Sequence, residues 1–533
     1  MMRSVLAATL FAAMLAAWGH SAMAQKAGGI LKLYHRGTPP SASIHEEATI
    51  STVAPFMSVY NNLVMFDPHE DINSLETIIP DLATEWSWNE DGTKLTFTLR
   101  EGVSWHDGKP FTSADVKCTW DRIQGKDTDR ANRFQKNPRK SWYWNLEEVT
   151  TNGDYEATFH LSQPQPSLLA LLAGGHSPVY PCHVDARTMR TAPIGTGPFK
   201  FVEMKQNESV VLAKNENYWK EGLPYLDGHE WTIIRSRSTR VLGFIAGEFD
   251  MTFDSDVTIP LLKDVEAQAP DAVCELNPTG VYTNLMLNRD APPFDNPKIR
   301  EALALTIDRG AFNEILGEGQ FTHGGAMMPP PAGVWGLPPE MVAELPGYGP
   351  DVEADRAKGR ELMESLGYGP DNMLKVKVAT RNIAIYRDPA VILIDHLKHV
   401  HVAGELEVIE TGNWYGRIGR KDYQVALNVT GFGVDDPDVN FFENYSCGSQ
   451  RNYTAYCNEE LNQMFKKQAA LRDLDERKKL VWEIDRELQL DHARPVIHHN
   501  KAAHCWQPYV KNVNRHKNSI YNNWRMEDWW LDK

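Results

Sequence analysis

Residues 94–99 alternate polar and apolar side chains, with Leu95, Phe97 and Leu99 on one side, the period of a half-buried strand. Gly102 ends that strand and Asp107-Gly108 makes a tight turn. Thr112 stands three residues before Asp115, a capping-box spacing in which each side chain serves a free backbone N–H. Val116, Trp120 and Ile123 follow at i, i+4, i+7, so the spacing predicts a helix that buries one stripe. A second strand is expected over 155–161, and Pro164 and Pro166 break the connection after it.

Further on, 209–213 and 229–235 read as strands, and 239–249 as a helix with Val241, Leu242 and Ile245 inward. Residues 327–340 are Pro-rich and read as a surface excursion. A helix over 353–366 precedes a strand over 375–380, a helix over 389–400 and a strand over 405–410. Such a βαβ unit belongs in a parallel sheet. Residues 459–489 predict two amphipathic helices, the second with Leu474, Val481, Ile484 and Leu488 inward, and 495–498 a returning strand.

The N-terminus departs from this α/β pattern. Arg3, an apolar run from Val5 to Trp18 and Ala22-Met23-Ala24 have the layout of a cleaved export signal. The run of about 14 residues falls short of the roughly 20 that span a bilayer. No cysteine precedes Cys118, so a soluble periplasmic protein without a lipid anchor is expected, starting at Gln25. Removing residues 1–24 leaves 54 basic against 71 acidic residues, a balance that disfavours nucleic-acid binding. The remaining length exceeds one core and predicts two or three domains. An oxidising compartment permits disulfides among Cys118, Cys182, Cys274, Cys447, Cys457 and Cys505. Of these, only Cys447 and Cys457 lie close in sequence, and a bridge is expected between them.

Three segments carry a family resemblance. Residues 99–123 (LREGVSWHDGKPFTSADVKCTWDRI), 194–201 (IGTGPFKF) and 288–309 (NRDAPPFDNPKIREALALTIDR) resemble, in order, the signatures of extracytoplasmic solute-binding proteins of the peptide/nickel family, family 5. In the third, Ile299, Leu303 and Ile307 share a helical face behind Pro297. The resemblance implies an α/β, two-lobed type II periplasmic binding-protein fold (cluster C) with an extra subdomain in the first lobe. The expected division is a signal over 1–24, a first-lobe core over 25–60, 190–286 and 502–533, the subdomain over 61–189 and the second lobe over 287–501. Crossings between lobes are expected near Leu287 and Lys501. It further implies a monomer that closes on a peptide-like or conjugated solute and delivers it to an ABC permease. Oligosaccharide or opine-type conjugates, nickel chelates and haem are the alternatives on the same fold.

The same resemblance nominates ligand residues. Tyr282 enters the second lobe and faces either the cleft or the core. Arg381 ends a strand where dipeptide-binding relatives place an Arg against the ligand carboxylate, a pairing that suits its planar fork; Arg387 competes for that role. Trp414 opens a helix where relatives carry an aromatic at the pocket. Residues 430–442 (TGFGVDDPDVNFF) resemble a loop whose first acid receives a peptide's α-ammonium, and Gly433 occupies that position here. Asp435 is either its substitute or a turn residue. The Trp142-Tyr143-Trp144 cluster either stacks on a ligand or packs between subdomains.

Enzyme signatures are missing. The chain has no G-x-S-x-G elbow, H-E-x-x-H pair or phosphate loop, and His498-His499 would point to opposite faces of a strand. No cofactor or metal is expected. The rival from another class is a secreted hydrolase with a nucleophile–His pair in the cleft, and a periplasmic chaperone is the third.

Overall fold

The computed structural model describes residues 25–127, 129 and 133–533; the expected signal over 1–24 lies outside them. The alternating segment Lys94–Leu99 is the second strand of an antiparallel sheet whose order is Ala83–Trp88, Lys94–Leu99, Glu156–Leu161, Leu146–Thr151. Leu95, Phe97 and Leu99 are buried, as are Val116, Trp120 and Ile123 of the helix Ser113–Gln124. The capping box of Thr112 and Asp115 starts that helix. The carboxylate of Asp115 also accepts from the Cys182 N–H at 2.8 Å, and a Cys118–Cys182 disulfide ties the helix to the same segment.

A second sheet pairs Ile30–His35 in parallel with Gly228–Ile233, followed by Ser209–Lys214 and Phe199–Lys205. The Gly-rich segment before it packs backbone on backbone. A Cβ on Gly197 would lie 2.5 Å from the Ser58 carbonyl oxygen, closer than any side chain tolerates. The C-terminal segment returns to this core, burying Trp524 and Trp529 in it.

The third sheet has the order Val402–Ile409, Leu374–Arg381, Val425–Gly431, Val273–Leu287, Val496–Trp506. Its first two strands are parallel and enclose the helix Ala384–Leu397, a βαβ unit. That helix begins five residues ahead of the expected position and carries Pro389 inside it. The proline removes one backbone donor from its second turn. The returning strand continues to Trp506, because 501–506 find a partner in 273–278. Two expected inward residues are exposed: Leu242, and Leu474 at the first position of its helix.

Val273–Leu287 and Val496–Trp506 are shared by both halves of the molecule. Their antiparallel register holds from Val273↔Trp506 to Pro278↔Lys501, breaks, and resumes at Tyr282↔His499. On one side of the break Met251 and Val257 bridge to Trp506 and Ala503. On the other, 281–287 pair with 425–431. The break therefore falls at 278–282, ahead of the position near Leu287 where a crossing is expected. Gly280 sits in the break at φ 64°, with the backbone of Ser519 2.9 Å from where its Cβ would be. A Cys274–Cys505 disulfide joins the two strands on the first-lobe side. Among the described residues no helix is long and apolar enough to cross a membrane.

Candidate functional site

The lobes meet along the carboxyl end of the parallel strands, where open α/β sheets form their crevices. Thr411, which opens the helix Thr411–Gly419, lies 3.2 Å from where a Cβ on Gly37 of the first lobe would sit. From the C-terminal segment, Ser519 Oγ donates to the carbonyls of Phe432 and Gly433 at 3.1 and 3.0 Å. Ser167 Oγ donates to Asp438 at 2.6 Å.

Arg381, the last residue of its strand, is buried at this boundary. Its Nη1 reaches the hydroxyls of Tyr386 and Tyr415 at 2.9 and 3.3 Å, and its Nη2 reaches Thr411 Oγ1 at 3.1 Å. Its Nε has no partner, and no carboxylate of the described residues lies within 4 Å. Neutral oxygens solvate a guanidinium without neutralising it. Arg387 is exposed and donates to Asn382 at 3.3 Å; burial therefore separates the two arginines. Arg36 faces the same space from the first lobe. It is buried over the Phe253 ring and donates to Ser255 Oγ at 2.8 Å. Burial pulls its pKa down, with Asp256 opposing and Arg381 adding to the fall.

Beside these lies Glu443, buried and ion-paired with Arg451. Arg139 stands 4.0 Å from its other oxygen, which also accepts from the Trp142 indole at 2.8 Å. Burial lowers the Arg139 pKa to about 10, against the pull of Glu443. His176 packs against Trp142 and Tyr521, with ring centroids 5.8 and 4.4 Å away. Neither of its nitrogens has a partner. Burial, then Arg139 and Arg451, hold its pKa well below the usual imidazole value, so it is neutral at pH 7. The cluster is polar, aromatic and dominated by guanidinium groups.

The nominated residues divide by location. Tyr282 is fully buried in a small cluster with Met328, Phe432 and Val496, its hydroxyl 3.3 Å from Asn440. Trp414 is buried in a second-lobe cluster with Met286, Ile418 and Ala426. The cleft position on its helix belongs to Tyr415, four residues after Thr411 and so on the same face. Gly433 is at the boundary: a Cβ there would meet the far edge of the Trp142 ring at 2.9 Å. Asp435 turns to the Pro-rich excursion instead, accepting from the Val334 N–H at 3.0 Å. Burial and the neighbouring Asp436 push its pKa up to about 7. Trp144 stacks on Phe442 at 5.0 Å. Cys447 and Cys457 are joined in a disulfide close to this face.

Arg36, Arg139, Arg451, Glu443 and Tyr521 escaped the sequence reading, since they come from four distant segments with no common spacing. Tyr415 carried a usable signal in its i+4 relation to Thr411. Among the described residues no group of three or more His, Cys, Asp and Glu side chains is arranged to hold a metal. His498 stacks on Phe321 at 4.5 Å while His499 bonds the Gly325 carbonyl oxygen at 3.0 Å.

The chain is similar to a glutathione-binding protein of Salmonella paratyphi A, 24% identical over 465 residues that cover 84% of this chain and 83% of that protein. Among solved structures it resembles a dipeptide-binding protein of Pseudoalteromonas sp. SM9913 in complex with Met-Leu, at TM-score 0.83 and 21% identity, covering 95% of this chain and all of that one. It also resembles a periplasmic binding protein of A. tumefaciens R10 in complex with agropinic acid, at TM-score 0.80 and 21% identity, covering 95% and 99%. These likenesses establish the two-lobed periplasmic binding-protein fold. The model of the bacterial extracellular solute-binding proteins, family 5, matches residues 77–452, more than half of the sequence. This chain therefore belongs to the bacterial extracellular solute-binding proteins of family 5, a family of binding proteins and not of enzymes.

Proposed function

We propose that this protein is the periplasmic solute-binding component of an ABC importer, which captures a peptide-like or conjugated small solute between its lobes and presents the closed form to a membrane permease. The observation that carries this reading is Arg381, a buried guanidinium at the mouth of the parallel sheet with no carboxylate within 4 Å among the described residues. A solute carboxylate bound there supplies the missing partner in a two-pronged geometry. Closure then follows from ligand contacts made on both lobes at once.

The moving bodies of this reading are the first lobe with its subdomain over 61–189, and the second lobe up to about residue 501. The export signal is cut after Ala24, and the mature protein acts as a monomer. Native mass spectrometry of the periplasmic protein tests capture directly, since a bound solute adds a discrete mass. Small-angle scattering should give a smaller radius of gyration once that solute is present. Turnover of the solute in proportion to protein concentration would overturn the reading.

A further inference from the structure

The charge count in the cleft narrows the solute, on the reading that it binds between the lobes. Arg36, Arg139, Arg381 and Arg451 are all buried there. Among the described residues Glu443 is the one carboxylate within 4 Å of any of them, and it is shared by Arg451 and Arg139. Asp256, near Arg36, is held on both oxygens by Arg240 at 2.7 Å, so its charge is already matched. Glu47 offers Arg139 only its carbonyl, at 2.9 Å, while its carboxylate takes the Ser41 hydroxyl. Behind the cluster, no carboxylate of the described residues lies within 4 Å of the Arg494 guanidinium. Arg494, bonded to the Arg451 carbonyl at 3.2 Å, is itself held by Asn444 and Thr430, all neutral acceptors.

Among the described residues, these four buried cations thus share one carboxylate, an excess of three, in a protein whose overall charge is −16. Burying an unpaired charge is costly, and the cost is offset only when a partner of opposite sign arrives. An ammonium finds the reverse situation. Glu443 has one oxygen on Arg451 and the other on the Trp142 indole, which leaves no free acid to receive it. The Nε atoms of Arg139, Arg381 and Arg451 lack hydrogen-bond partners, which supplies donors from both lobes.

From this geometry we infer that the solute is an organic anion with at least two acidic groups and no free ammonium. One acidic group bonds Arg381 and the other lies toward Arg36 or the Arg139–Arg451 pair. The solute's charge, not its length, then decides selection.

Four probes on one scaffold separate the possibilities by calorimetric titration at pH 7.5: N-succinyl-Ala-Phe, N-acetyl-Ala-Phe, Ala-Phe and Ala-Phe amide. The expected order of affinity is succinyl, acetyl, free dipeptide, amide, with at least 10-fold between the first and the third. Arg36→Met, which leaves the Glu443 pairs intact, should bring the succinyl peptide toward the acetyl one. Arg381→Met should weaken both. Ala-Phe binding as tightly as the succinyl peptide would overturn this inference and leave solute capture standing. No response to any of the four, in heat or in radius of gyration, would overturn both.

Discussion

The indole nitrogen of Trp142 donates to the Glu443 carboxylate at 2.8 Å, joining the segment before the strand Leu146–Thr151 to the helix Pro437–Asn444. The six-membered part of the same indole fills the space in front of Gly433, through Cη2 and Cζ2. One side chain therefore occupies a buried acid and blocks the position where the loop resemblance leads one to expect another. Gly433→Asp should consequently fail to create ammonium binding, because its Cβ meets the ring at 2.9 Å. Gly433→Asp combined with Trp142→Ala should gain affinity for free dipeptides. Calorimetric titration of both variants with Ala-Phe checks this.

Arg381→Met should separate stability from binding. Its guanidinium is bonded only to hydroxyls, and an apolar replacement of similar volume relieves an unpaired buried charge. The melting temperature of the solute-free variant should be equal to or above that of the parent. Affinity for a carboxylate-bearing solute should fall by about 100-fold or more, since losing a buried charge pair costs roughly 3–5 kcal/mol. Thermal unfolding and titration on the same preparation give both quantities.

Asp435 gives stability a pH dependence. The folded protein keeps its proton up to about pH 7, whereas the unfolded chain releases it near pH ~4. The unfolded state therefore binds fewer protons between these values, and this residue's contribution to stability falls as pH rises from about 4 to 7. Asp435→Asn keeps an acceptor for the Val334 N–H and removes the charge. Its melting temperature should exceed that of the parent above pH 7 and approach it near pH 4.

The Cys447–Cys457 bridge closes a short loop, with the cysteines 10 residues apart in sequence. Replacing both by Ser should cost roughly 2–3 kcal/mol of stability through the freed unfolded chain. Denaturant titration at fixed pH measures it. Peptide mapping without reductant should find all six cysteines paired, as 118–182, 274–505 and 447–457.

Periodicity made the strand–turn–helix of 94–124 and the βαβ unit of 374–409 legible, because each buries one face against its own neighbours. It placed Leu242 and Leu474 inward, but both are exposed: Leu474 is the first residue of its helix, and Leu242 lies mid-helix beside the buried face of Arg240, Val241, Gly243 and Phe244. The site was less accessible. Arg381 is nominated because it ends a strand where dipeptide-binding relatives place an Arg, and Trp414 because relatives carry an aromatic near the start of its helix. The helix phase set by Thr411 sends the tryptophan to the core. Arg36, Arg139, Arg451 and Glu443 become neighbours only when the lobes and the subdomain assemble, and no local pattern encodes that meeting.

The Cys274–Cys505 bridge lies on the first-lobe side of the break in the paired strands, only a few residues before it. Below that staple the two strands behave as one beam, clamped covalently and by six consecutive register pairs. In the proposed closure, bending of this strand pair would concentrate in the short unpaired window around Gly280, as flexure does where a stiff member meets a joint. Such a hinge would bring Arg381 to the same place opposite Arg36 each time, so the precision of the binding surface would be set by the mechanics of the hinge as much as by the residues that line it.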